Sequence, residues 1–175
     1  MLLAQRLELV GIEGEMTIRV GSDDAERKVL ADVKKFGWHC LNIFEEDGQP
    51  PWTFSIGFHK TWNFPELIVI GLKREVAHST LNIVATQLAE GRRLDLALAS
   101  DELFNDFACC FVEVPKPMYR EYVGTARWFY GGDAFPLYQI VWPSRDGHFP
   151  WNESASESYK QWQPVLGCPQ PAVGL

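Results

Sequence analysis

Residues 52–72, WTFSIGFHKTWNFPELIVIGL, contain two strand patterns of different kinds. In the first, WTFSIGFH, large apolar residues alternate with small or polar ones, which predicts an extended strand with two unlike faces. The second, ELIVIGL, is apolar without alternation, as expected for a strand that is covered on both faces. Together they predict a sheet with at least one strand that is buried on both sides.

Other segments complete the predicted fold. Three of them carry apolar residues at helical spacing and are predicted to be helices: residues 23–36, 75–90 and 118–132. Three more are apolar, are bounded by turn residues and are predicted to be strands: residues 38–46, 108–115 and 136–142. A tight turn joins the strands at 38–46 and 52–59, so the sheet cannot be wholly parallel. We therefore predict an α+β fold, in which a mixed, mostly antiparallel sheet packs against about three helices.

The chain length fits one domain with a sizeable core, since it has 175 residues. We expect a single α+β domain over residues 23–167. Residues 1–22 would form an N-terminal extension or an edge strand, and residues 168–175 a C-terminal tail.

The charge pattern argues against two classes of partner. The formal net charge is −7, and no run of Lys and Arg could follow a nucleic-acid backbone or an anionic membrane surface. Arg6 and Glu8 interrupt the first apolar run, so we expect no signal peptide, no membrane span and a cytoplasmic location. The four cysteines have neither zinc-site nor disulfide spacing. The leading interpretation therefore includes no metal and no cofactor.

A pair of histidines is predicted at the open end of the first hairpin. If the turn is centred on Gln49, facing residues have numbers that add up to 98, and His39 lies opposite His59. Opposed side chains are about 5 Å apart, so the two rings could transfer protons, bind an anion or share a metal. A third ligand for a catalytic zinc is not evident, and a one-residue slip in register would separate the pair.

A row of small and polar residues occupies one face of the alternating strand: Thr53, Ser55, Gly57 and His59. Exposed strand faces usually carry long charged side chains, so this row predicts a cleft bounded by a loop tryptophan. A helix of the same chain, a ligand or a partner subunit could fill that cleft. The opposite face carries larger apolar residues and is expected to be more buried: Trp52, Phe54, Ile56 and Phe58.

The loop WPSRDGHFPW, residues 142–151, supplies two further candidates. Arg145 could offer a bidentate fork to a carboxylate or phosphate, beside Trp142, although the loop could equally serve only to cover one end of the sheet. Neither a Gly-x-Ser-x-Gly nucleophile elbow nor a glycine-rich phosphate loop is present. Carboxylates near turns, Glu66 included, are expected to be mostly solvated and assign no general acid or base.

Two long signatures make the chain similar to a known family. They are GWHCLNIFEEDGQPPWTFSIGFHKTWNFPELIVIGL and RWFYGGDAFPLYQIVWPSRDGHFPW. In this order they resemble the bacterial Domain of Unknown Function 4262 family, over roughly residues 34–167. The resemblance implies a bacterial protein of similar size and brings no assigned reaction. Asn63-Phe64 stands where the family often has Gly-His, which weakens any metal site that needed that histidine.

The leading hypothesis is an uncharacterised, non-catalytic binding or protein-interaction module, because catalytic motifs are missing. The candidate ligand-binding residues are His39, Thr53, Ser55, His59, Trp142 and Arg145. The partner would be an unknown protein or a small molecule, and a homodimer is left open. The alternative is an enzyme that binds a small molecule or flavin-like cofactor near His39 and His59, since residues 52–72 are faintly similar to paired strands of flavin-reductase-like split barrels.

Overall fold

A five-stranded mixed sheet lies at the centre of the structure, a computed structural model that describes residues 8–12, 15–19 and 21–169. The strands are β1 (Glu8–Ile12), β2 (Glu15–Arg19), β3 (His39–Ile43), β4 (Trp52–Ile56), β5 (Glu66–Ile70), β6 (Cys110–Glu113) and β7 (Leu137–Val141). The main sheet has the order β3-β4-β5-β7-β6, and β1 pairs with β2 separately. Only β5 and β7 are parallel neighbours in the main sheet. The predicted α+β class with a mostly antiparallel sheet is confirmed.

The helices are α1 (Asp24–Phe36), α2 (Phe58–Trp62), α3 (Arg74–Ala89), α4 (Tyr119–Tyr122), α5 (Gly124–Tyr130) and α6 (Glu157–Trp162). The first predicted helix is confirmed as α1, where Asp23 caps the start by accepting from the Glu26 N–H at 2.8 Å. The second is confirmed as α3. The third is broken at Val123 into α4 and α5, and two short helices, α2 and α6, were not predicted. None of the helices in the described residues is long and apolar enough to cross a membrane.

Helices cover both faces of the sheet. On one face, Val29 and Val33 of α1 and Phe129 of α5 pack against apolar side chains of β4 and β5. On the other face, Leu81 and Val84 of α3 belong to a second buried cluster, with further side chains of β5. The interior strands therefore have two buried faces, as the unbroken apolar pattern of β5 predicted.

The turn between β3 and β4 corrects the predicted register. Asp47 and Gly48 both have positive φ, 50° and 76°, and the Gln49 N–H donates to the Glu46 carbonyl at 2.8 Å. These are features of a type I′ turn, for which Asp-Gly is a preferred dipeptide. Facing residues consequently have numbers that add up to 95, so His39 lies opposite Ile56. The predicted cross-strand pair of His39 and His59 is wrong.

The predicted difference in burial between the two faces of β4 is also wrong. Thr53 is 3% exposed and Ser55 0%, which matches Phe54 at 1%, whereas Trp52 is only half-buried. The reason is that α3 packs over β4 from one side while α5 packs from the other. Of the three occupants expected for a cleft at this row, a helix of the same chain is the one that the structure places there.

The terminal predictions fall partly outside the described residues. The segment 1–22, predicted to be an N-terminal extension or an edge strand, contains β1 and β2, which pair with each other and do not join the main sheet. Residues 1–7, 13–14 and 20 of this segment lie outside the described residues. The predicted tail, residues 168–175, is described only as far as residue 169.

Candidate functional site

The carboxylate of Glu66, at the start of β5, is the centre of a buried polar cluster. Its side chain is 0% exposed and accepts four hydrogen bonds. Two come from the backbone N–H groups of Gly57, at 2.9 Å, and His59, at 3.1 Å. The other two come from the hydroxyl groups of Ser55 and Tyr130. We call these five residues the Glu66 cluster.

The direction of these hydrogen bonds is set by a second layer of contacts. The Ser55 hydroxyl accepts from the Leu67 N–H at 2.9 Å, and the Tyr130 hydroxyl accepts from the Lys60 N–H at 3.3 Å. Each hydroxyl therefore accepts from a backbone N–H and donates its own proton to Glu66. Burial raises the pKa of Glu66, while the hydrogen bonds from Ser55 and Tyr130 act in the opposite direction. Burial and the nearby carboxylate raise the pKa of Tyr130, which keeps this phenol a donor.

The Glu66 side chain is fully buried, and the Glu66 cluster connects four elements, β4, β5, α2 and α5. Both carboxylate oxygens already have partners, so a substrate could reach Glu66 only by displacing one of them. A carboxylate in such surroundings stabilises the packing of the elements that supply its donors. The expectation that Glu66 is solvated is wrong. The signal for its burial was its position directly before LIVI in a strand that is covered on both faces.

His59 lies in α2, with its ring against that of Tyr130 at a centroid distance of 5.9 Å. Its Nδ1 atom is buried without a hydrogen-bond partner among the described residues. Burial lowers the pKa of His59, and the nearby ammonium group of Lys116 lowers it further. The neutral imidazole is therefore the favoured form in the folded protein.

Acidification from about pH 7 to about pH 5 is expected to weaken the fold through His59. The pKa of His59 in the folded protein lies below the usual histidine value of 6.5, so the stability that depends on neutral His59 is complete above pH 6.5 and is lost as the pH falls through the folded pKa. His59→Gln should therefore flatten the pH dependence of the free energy of unfolding, measured in urea. Glu66, whose raised pKa has the opposite effect, is present in both proteins. Equal slopes for the two would contradict this expectation.

The other predicted candidates on β3 and β4 have partners within the fold. The Nδ1 atom of His39 lies 2.8 Å from a carboxylate oxygen of Asp32 in α1. Burial raises the pKa of Asp32, but the hydrogen bonds from Lys28 and His39 outweigh it and hold this pKa below its usual value. The Thr53 hydroxyl donates to the side chain of Asn42 at 2.9 Å. His39 and His59 therefore lie in different parts of the structure, His39 beside Asp32 and His59 beside Tyr130.

The loop candidates lie at a different part of the sheet. The indole N–H of Trp142 donates to the Ile70 carbonyl at 2.9 Å, at the end of β5, and Tyr159 packs against the same ring. Arg145 is exposed in the following turn. The six predicted residues thus do not converge on one pocket, and their roles in ligand binding stay a prediction.

A continuous groove follows the outer edge of β3, which sequence reasoning did not find. Three adjoining cavities of about 370, 570 and 390 Å³ make up this groove, from the His39 end to the Ile43 end. The first and second share five lining residues: Lys28, His39, Cys40, Asn42 and Arg74. The second and third share Phe44. We call the three together the β3 groove.

The β3 groove is open because, among the described strands, β3 pairs with β4 alone. All five residues of β3 are half-buried, and α1, α3 and α5 supply the walls. Gly124 and Trp128 belong to the α5 wall, and Arg74 to the α3 wall. No three side chains of His, Cys, Asp or Glu in the described part of the chain are arranged to hold a metal ion. The groove thus presents strand backbone, aromatic rings and charged side chains to a partner.

Comparisons with known proteins identify a family and no individual relative. No curated protein and no solved structure matches the chain. One family model matches residues 32–156, a range that contains both β3 and the whole Glu66 cluster. Because this match covers well over half of the 175 residues, the chain belongs to the family described as Domain of unknown function (DUF4262).

Proposed function

We propose that the protein is a non-catalytic binding module that holds an extended segment of a partner protein against the outer edge of β3. The observation that supports this proposal is the β3 groove, which follows the outer edge of β3, the edge that has no strand partner among the described residues. A segment in the groove would pair its backbone with β3 and direct alternate side chains to the two sides of the sheet. This is β-strand addition, in which main-chain hydrogen bonds give affinity and flanking pockets give specificity.

The two edges of the sheet differ in a way that favours β3. Proteins commonly protect exposed edges with Lys, Pro, bulges, short strands or a covering segment. The sequence of β3, HCLNI, contains neither Lys nor Pro. At the other edge, β6 has four residues and ends at Glu113, and the chain at Gly167 passes so close that a Cβ there would lie 2.0 Å from the Glu113 carbonyl oxygen. The β3 edge therefore offers a partner more room.

The flavin-like alternative has less support from the arrangement of side chains. It requires the row on β4 to face a cofactor, but Thr53 and Ser55 are buried and have hydrogen-bond partners within the chain. The Glu66 cluster offers no open position for a reacting group. The proposal therefore rests on the β3 groove. Its cavities lie along the outer edge of β3, which has no strand partner among the described residues.

Filling the groove with a large side chain is expected to abolish binding without loss of the fold. Gly124 lines the central cavity, and a Cβ at this position would meet no atom within 4 Å. Gly124→Trp should weaken, by at least about tenfold, the binding of linear peptides of about ten residues selected against the wild-type protein. Binding would be measured by fluorescence anisotropy, and the fold by chemical denaturation. Hydrogen exchange should show that the peptides protect the amides of β3 in the wild-type protein.

Gln161→Trp, on an exposed position of α6, adds the same side chain away from the groove and should leave peptide binding unchanged. A selection that gives no binder, or binders that Gly124→Trp retains, would contradict the proposal. So would self-association of the wild-type protein that Gly124→Trp abolishes, because it would assign the edge to a second copy of the chain.

A further inference from the structure

The end of the β3 groove beside Ile43 has aromatic walls. Trp52 and Tyr122 lie there with ring centroids 5.3 Å apart, and Phe44 is exposed at the rim. The indole N–H of Trp52 donates to the Tyr122 carbonyl at 2.9 Å, which fixes this ring against α4. The cavity of about 390 Å³ has room for one long side chain between these rings and the turn after β3.

The charge of this cavity has one sign only. Three carboxylates line it, those of Glu46, Asp47 and Glu121, and among the described residues no Lys, Arg or His does. None of the three forms a salt bridge in the part of the chain that the structure describes. Aromatic faces beside carboxylates are surroundings that favour an ammonium or guanidinium group.

The opposite end of the groove has a different character. Lys28, Asp32 and Arg74 line it, and Lys28 pairs with Asp32 at 2.9 Å. Arg74 also lines the central cavity and lies 5.9 Å from the centroid of the Phe44 ring. A basic side chain would meet the Arg74 guanidinium there, whereas an acidic one would meet three carboxylates at the Ile43 end. The charge distribution along β3 therefore selects the position of a basic residue in the bound segment.

We infer that the segment bound by β3 carries a lysine or arginine side chain just beyond Ile43, which packs against Trp52 and Tyr122 and faces Glu46, Asp47 and Glu121. This inference rests on the proposed function, because it assumes that a segment pairs with β3. Phe44 lines both the central cavity and this one, so a segment leaving the strand edge reaches the aromatic walls directly. The partner is then a protein with an extended stretch that ends in a basic residue.

The test uses peptides selected on the wild-type protein whose binding Gly124→Trp abolishes. Such peptides should contain a Lys or Arg near one end, and its replacement by Gln should weaken binding by at least about tenfold. Neutralising the cavity with Glu46→Gln, Asp47→Asn and Glu121→Gln together should cause a similar loss. Asn is chosen at position 47 because it tolerates the positive φ of 50° in this turn.

A matched control has the same total charge. Asp101→Asn, Asp106→Asn and Glu153→Gln neutralise three exposed carboxylates that do not line the groove, so binding should be unchanged. Equal losses in both triple variants would show a long-range effect of net charge and overturn the inference. Groove-dependent peptides without a basic residue would overturn it as well, yet leave the proposed function standing. If Gly124→Trp abolishes no binding at all, the proposed function itself fails.

Discussion

Replacement of Glu66 by leucine is expected to lower the free energy of unfolding by about 4 kcal/mol or more. The substitution leaves four buried donors without an acceptor: the N–H groups of Gly57 and His59 and the hydroxyls of Ser55 and Tyr130. Each buried donor without a partner costs about 1–3 kcal/mol, and the apolar side chain recovers only part of the sum. Urea denaturation followed by tryptophan fluorescence would measure the change. Coincident transitions by fluorescence and circular dichroism would establish that the variant unfolds cooperatively.

Two further variants separate hydrogen bonding from side-chain size at this position. Glu66→Gln keeps one acceptor oxygen, so its loss should be smaller, about 2 kcal/mol. Glu153→Leu makes the same change as Glu66→Leu on an exposed residue and should stay within about 0.5 kcal/mol of the wild-type protein. A Glu66→Leu protein as stable as the wild type would contradict the structural role of the Glu66 cluster and reopen a catalytic one.

The sequence predicts the parts of this fold that depend on local pattern. The unbroken apolar run of β5 indicated a strand with two covered faces, and both faces are buried. The register of β3 on β4 was mispredicted because the turn was centred on Gln49, although Asp47-Gly48 is the stronger hairpin signal. The strand 52–59 was predicted too long, because Gly57, with φ of 113°, turns the chain from β4 into α2.

The candidate sites depend on order in space, which local pattern does not contain. One of the four donors to Glu66, the Tyr130 hydroxyl, comes from α5, 64 positions further along the chain. The β3 groove exists because β3 lies at one end of the main sheet, where β4 is its one neighbour among the described strands. No periodicity in HCLNI distinguishes an edge strand from an interior one. His39 was a predicted site residue and does line the groove, but its predicted partner His59 lies elsewhere.

Replacement of Gly57 by alanine is expected to destabilise the protein by about 3 kcal/mol or more. Its φ of 113° is strained for any residue with a side chain, which alone costs about 1–3 kcal/mol. The added Cβ would also lie 2.7 Å from the Gly37 carbonyl oxygen and 3.0 Å from Cα of Trp38, which are backbone atoms that cannot rotate away. Relief of this contact would move the Gly57 and His59 N–H groups, which donate to Glu66.

Alanine substitutions at two other glycines distinguish backbone strain from the close contact of the added Cβ. Each is measured as the change in free energy of unfolding in urea. Gly48→Ala also places a side chain at positive φ, 76°, which is nearer to the left-handed region that other residues adopt, and its Cβ would meet nothing within 4 Å, so about 1 kcal/mol is expected. Gly124→Ala has neither strain nor contact and should be neutral or slightly stabilising, because alanine favours a helix over glycine. If Gly57→Ala costs no more than Gly48→Ala, the close approach of the two chain segments at Gly57 does not stabilise the Glu66 cluster.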